Sequence, residues 1–400
     1  MVMTRKHFLT GLTDMALTQM LFADALPLGA AQSCEMEESK EYLSTQILTY
    51  LGNKRSLLHF LGEGVEKVRK LLGGRRISFF DAFSGSGIVS RFMKKHAYCI
   101  TANDLERYSE IVNLCYLTNR TSIDWNDFDS VFNAYVRYAK DNIRPGVITQ
   151  LYAPKDDNDI KPGERVFYTR ENAIILDSAR NAIDKIVPPK YFNLILAPLL
   201  AEASIHPNTS GVFKGFYKNR DGVGAFGGEG KNALSRICGR VKLEKPVLSN
   251  FECESKVIRG DVNEVVKTIG DVDLAYFDPP YNQHPYGSNY FMLNLLAENK
   301  DPGEMSRVSG IPKDWNHSKY NKKREAEQTF FSLLKTTPAK FMMVSYNSEG
   351  FIKKDSFVSF LESIGKVTQL ETEYNTFRGS RNLRNRPLTV TEYLFLVEQF

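Results

Sequence analysis

The tightest constraint on the fold lies between Ile77 and Asp104. ISFFDAF, starting at Ile77, is a short β-branched and aromatic run that reads as a buried strand, and it ends in the turn Ser84-Gly85-Ser86-Gly87. IVSRFMKK then opens a helix, and AYCITAND, closing on Asp104, reads as a second strand. Strand, glycine turn, helix and strand in that order open a doubly wound α/β fold. The flanks agree. Leu57, Leu58, Leu61, Val65, Val68 and Leu72 recur at helical spacing until Gly73-Gly74 stops them, and LERYSEIVNLCYL after Asp104 continues as another helix.

The same turn is a candidate ligand site. Asp81 ends the first strand, and Gly85 and Gly87 let backbone approach a ligand with no Cβ in the way while helix N–H groups aim at it. Gly-x-Gly alone is equally a plain structural turn. Asp104, at the end of the next strand, adds a carboxylate placed to hold the two hydroxyls of a ribose. Ser90 stands where a dinucleotide fingerprint would carry its third glycine. A ligand with adenosine but no pyrophosphate suits the pattern better, and S-adenosylmethionine is one.

Further along, YAPKDDNDIKPGE is a polar loop leaving the α/β core, and helices are expected from about Arg170 to Ile186 and from about Tyr191 to Ser204. NTSGVFKGFYKNRDGVGAFGGEGKN then mixes glycine, lysine and aromatics with no sustained period. Strand character returns in ESKVIRGD and VDLAYFDPPY, and KFMMVSYN and TEYLFLVE read as two late strands; Asn299 to Gln328 is expected to be loop with a short helix. The expected organisation is an N-terminal extension over 1–40, a first part of the core over 41–150, an insertion over 151–253, and a second part over 254–400. A chain of 400 residues that is 42% hydrophobic can bury so large a core. Five scattered cysteines without a C-x-x-C pair indicate neither a disulfide framework nor a zinc site, so no metal is expected and a cytoplasmic location is. MALTQMLFADALPLGAA is a poor signal peptide and too interrupted to span a membrane.

FDPPYN, from Phe277, places a carboxylate, two prolines and an aromatic ring directly after an apolar run. The prolines fix the backbone and remove two N–H donors, so a rigid corner presents acceptors and a ring to stack on. Together with YLGNK at Tyr50, DAFSGSG at Asp81, and GVFKGFYK with FGG at Phe226, the DPPY motif resembles the Dam-type DNA adenine methyltransferases, the alpha group of amino-methyltransferases, in both content and order. The resemblance runs from about Tyr50 onward; residues before about Glu41 have no counterpart in it, and Tyr50 stands where some members have tryptophan.

That resemblance implies a Rossmann-like S-adenosylmethionine-dependent sheet with an inserted target-recognition domain, methylating adenine N6 in double-stranded DNA after base flipping. It implies that the Asp278 side chain and the Pro279 carbonyl hold the amine hydrogens while Tyr281 stacks on the base. Tyr50, Lys54, Asp81, Phe83, Gly85, Gly87, Asp104 and Asp278 would surround the cofactor, and Asp261 would meet its adenine, although Asp261 also reads as a plain N-cap. DNA contacts are expected from Lys214, Tyr217, Lys218 and Arg220 in the insertion, and from Arg378 and Arg381. From Asn208 to Arg259 there are ten lysines and arginines against five acids, in a chain of net charge +5. Methylation of RNA or of a protein amide, or a non-catalytic DNA-binding subunit, are the rival readings. The first is opposed by the insertion and by Asp rather than Asn at position 278, the second by the intact glycine turn and DPPY. A monomer or weak dimer is expected, with a cognate restriction endonuclease as a separately acting partner.

Overall fold

The computed structural model describes residues 37–348, 350–375 and 389–400; the expectations for residues 1–36 and for Arg378 and Arg381 lie outside the described residues. β1, Ile77–Asp81, runs parallel to β2, Ala97–Asp104, on one side, with β3, Glu254–Arg259, beyond it. On its other side lie β4, Val272–Phe277, and β5, Ala339–Asn347, again parallel. β6, Gly365–Asn375, and β7, Thr389–Gln399, complete a sheet of order β3-β2-β1-β4-β5-β7-β6, in which β7 runs antiparallel to both neighbours. The direction of winding reverses between β1 and β4, so a crevice opens beyond the carboxyl ends of those two strands.

Strand alternation supplies the two faces. Phe79, Leu274, Met343 and Leu394 point to the side covered by α1, Leu58–Leu71, and α2, Ile88–Met93, where Leu61, Val65, Val68 and Met93 are buried. Phe80, Ala275, Val344 and Phe395 point the other way, against Phe330 and Leu333 of a helix over Ala326–Thr336 and Phe357 of a helix over Lys354–Glu362.

A third hydrophobic cluster belongs to a helical layer. α3, Arg107–Tyr116, packs there with the helices Trp125–Asp141, Arg170–Ile186, Phe192–Ile205 and Phe291–Glu298 through Tyr108, Tyr135, Leu176, Leu196 and Leu293. The helix over Trp125–Asp141 is capped by Asp124, which accepts from Asn126 N and Asp127 N at 3.1 Å each. From His206 to Cys253 the chain is mostly irregular and is held by side chains such as Arg236, which donates to the Pro207 and Thr209 carbonyls at 2.9 Å each.

Candidate active site

The turn after β1 is built as a cradle. Gly85 and Gly87 have φ of +52° and +76°, the left-handed region that glycine enters freely. A Cβ at Gly85 would stand 3.1 Å from a ring carbon of Tyr50, and one at Gly87 would stand 3.1 Å from Asn113 Oδ1. The Gly85 N–H donates to Asp104 Oδ2 at 2.8 Å, and the Glu106 N–H donates to Asp104 Oδ1 at 2.9 Å. Behind the turn Asp81 is buried; Ser90 donates to its Oδ2 at 2.6 Å, while Oδ1 has no hydrogen-bond partner among the described residues. Burial pushes the Asp81 carboxyl up to about 7, against the lowering effect of Ser90.

The cradle opens into a cleft of about 950 Å³, its mouth included, lined by Tyr50, Lys54, Phe83, Gly85, Asp104, Asp261 and Asp278. Gly87 and Asp81 support the turn from behind. Asp261 accepts from Asn263 N at 2.9 Å, so it caps the short helix Val262–Val265 and lines the cleft as well. Tyr50 is packed between rings, stacked on Tyr286 at 4.8 Å and Tyr290 at 4.5 Å, and its hydroxyl lies 3.1 Å from that of Tyr108.

At the far end of the cleft is the corner formed by Asp278, Pro279, Pro280 and Tyr281. Lys54, on the turn entering α1, is buried with its Nζ 3.0 Å from Asp278 Oδ1 and 3.0 Å from Glu392 Oε1, and it donates to the Tyr281 hydroxyl at 3.1 Å. Tyr281 in turn donates to Asp278 Oδ1, and its ring meets Tyr346 edge-on at 5.1 Å. Burial by itself would push the Lys54 ammonium down, but the two carboxylates outweigh it and hold Lys54 above its ordinary value.

Two acids here were not singled out in the sequence. Glu106 lines the cleft; its Oε2 accepts from Asn294 Nδ2 at 2.6 Å and Asn316 Nδ2 at 3.0 Å, and burial pushes its carboxyl up to about 7. Its spacing two residues after Asp104 was the available signal. The other is Glu392 on β7, detectable as a charge in the apolar alternation TEYLFLV.

A family model, D12 class N6 adenine-specific DNA methyltransferase, matches residues 50–360. The chain belongs to this family. It is similar to the Type II methyltransferase M.CviAII of Paramecium bursaria Chlorella virus 1, 28% identical over 356 residues that cover 87% of this chain and 97% of that one. It is similar to the Type II methyltransferase M.NlaIII of Neisseria lactamica, 28% identical over 362 residues, 88% of this chain and 99% of that one. A third relative, the Type II methyltransferase M.FokI of Planomicrobium okeanokoites, is 24% identical over 88% of this chain and 53% of its own.

As an N6 adenine-specific DNA methyltransferase, the protein needs a surface for DNA beside its corner. Phe213 N donates to the Asn289 carbonyl at 2.7 Å, which pins the GVFKGFYK loop to the segment after DPPY, and exposed Lys214 lies 3.4 Å from His284 Nδ1. Lys218 lies over the Phe216 ring at 5.2 Å, and half-buried Tyr217 is held through its backbone by Asn208. Arg220 is 84% exposed and pairs with Glu229 at 2.8 Å. No group of acids, histidines and cysteines among the described residues is arranged to hold a metal ion, and no described helix is long and apolar enough to cross a membrane.

Proposed function

We propose that this methyltransferase is of the Dam type, takes its methyl group from S-adenosylmethionine, and acts on an adenine flipped out of double-stranded DNA. The observation that carries the reading is one cleft with the glycine cradle at one end and the Asp278 corner at the other. The cleft fits the proposed cofactor in its chemistry: a turn bare of Cβ atoms, the carboxylates of Asp104, Glu106 and Asp261 for hydroxyls and amines, and aromatic walls from Phe83 and Tyr50. Bound there, S-adenosylmethionine supplies an electrophilic methyl group. Asp278 and the Pro279 carbonyl accept the hydrogens of the adenine amine, localising a lone pair that the ring otherwise delocalises. Tyr281 stacks on the extruded base and replaces part of the lost stacking, about 1–3 kcal/mol. As the N–methyl bond forms the methyl–sulfonium bond breaks and leaves a neutral thioether, so the amine becomes cationic and then sheds a proton to water.

The basic insertion over 151–253 is proposed as the target-recognition part, with Lys214 and Lys218 on phosphates. The relatives are Type II methyltransferases, which supports a modification role; a separately acting restriction endonuclease is proposed as its partner. The described cysteines are free thiols, in keeping with a cytoplasmic protein, and a monomer or weak dimer is proposed. The test is to map methylated adenines in DNA from cells expressing the wild type and Asp278→Ala. Adenine methylation at one sequence, lost in the variant, is expected; methylation that persists in Asp278→Ala would remove the corner from the chemistry.

A further inference from the structure

Glu392 is charged where the strand pattern calls for an apolar residue. Along β7, Leu394 and Leu396 face the side covered by α1, whereas Phe395 and Val397 face the other. Alternation puts Glu392 on the α1 side, where its side chain is only 4% exposed. A carboxylate buried there needs a counter-charge. It has Lys54, whose Nζ lies 3.0 Å from Glu392 Oε1 and 3.0 Å from Asp278 Oδ1. Burial pushes the Glu392 carboxyl up, and Lys54 opposes that shift.

We propose that Glu392 is a positioning residue for methyl transfer: by taking a share of the Lys54 charge it keeps Asp278 a strong acceptor and leaves the corner with a net negative charge. Were Lys54 and Asp278 alone, they would cancel, and the carboxylate meant for the amine hydrogens would be spent on the ammonium. With Glu392 added, one cation is divided between two anions. The excess negative charge sits where the amine becomes cationic, fixed before the reaction begins, so it lowers the barrier rather than tightening binding. The inference rests on Asp278 being the acceptor of the adenine amine.

The experiment compares wild type, Glu392→Gln, Glu392→Asp, Asp278→Ala and the double variant Lys54→Met/Glu392→Gln in single-turnover transfer from saturating S-adenosylmethionine to unmethylated DNA carrying the mapped target sequence. Glu392→Gln should slow transfer on the order of 100-fold, the lower end for loss of a preorganised charge, with DNA and cofactor affinities changed less than about twofold. Glu392→Asp, which keeps the charge on a shorter arm, should be faster than Glu392→Gln. The double variant should also be faster than Glu392→Gln, because removing both charges restores the net negative corner; a Glu392 that merely props up the fold would make it at least as slow. Wild-type transfer by Glu392→Gln beside a collapsed Asp278→Ala overturns the inference and leaves the reading of Asp278 intact. Wild-type rates in both remove that reading and the inference with it.

Discussion

The N–H of Gly85 donates to Asp104 Oδ2 at 2.8 Å, tying the tip of the turn after β1 to the end of β2. Asp104 therefore shapes the cradle as well as lining it, since its other oxygen holds the Glu106 N–H. Asp104→Ala should weaken S-adenosylmethionine binding by roughly 1.5–3 kcal/mol, the worth of hydrogen bonds to a charged group, and should lower the melting temperature too. Asp104→Asn, which keeps one acceptor, should lose less of both. Calorimetry with unchanged affinity in Asp104→Ala would take Asp104 out of the cofactor site.

Tyr281 is predicted to act through its ring. Tyr281→Phe loses the hydroxyl that donates to Asp278 and accepts from Lys54, yet keeps the stacking face, so it and Tyr281→Trp should retain substantial single-turnover activity. Tyr281→Ala should be slower, and Tyr281→Asp slower still. A Phe variant as slow as the Asp variant would assign the role to the hydroxyl.

DNA affinity should fall steeply with salt. Each of Lys214→Ala and Lys218→Ala, if phosphate contacts are lost, should reduce the slope of log affinity against log salt by roughly 0.9. Arg220→Ala should change the slope less, because its guanidinium already pairs with Glu229. Equal slopes in wild type and both lysine variants would put the DNA on another face.

Asp81 should make stability depend on pH. An unfolded aspartate titrates near about 4, whereas burial holds Asp81 at about 7, so the folded state keeps a proton that the unfolded chain has released between those values. The contribution of this group is intact below about pH 4 and is lost as pH rises through about 7. Asp81→Asn should flatten the fall in melting temperature from about pH 5 to about pH 8; a slope equal to wild type would show that Asp81 ionises normally.

Local pattern carried the parallel core. AYCITAND coincides with β2, and the expected helix from Arg170 to Ile186 appears with those bounds, because both are uninterrupted apolar periods with clear stops. The helix over Trp125–Asp141 and β6 were not anticipated: Gly365–Asn375 alternates weakly and is polar enough to read as loop, and it becomes a strand only by pairing with β7. The site divides the same way. Asp278, Gly85 and Asp104 sit in motifs whose residues are neighbours in sequence. The pairing of Glu392 with Lys54 and the stack of Tyr50 on Tyr286 and Tyr290 arise from the meeting of distant segments, which no local pattern encodes.

The placement of β7 has a consequence for synthesis. In the order β5-β7-β6, the strand made last of the seven must enter between two made earlier, and β6 has no other neighbour in the sheet. Until it does, the carboxylate of Glu392 is absent from Lys54. Before β7 joins the sheet Lys54 and Asp278 form a neutral pair, and the net negative charge proposed for the corner is complete only when β7 has been inserted between β5 and β6.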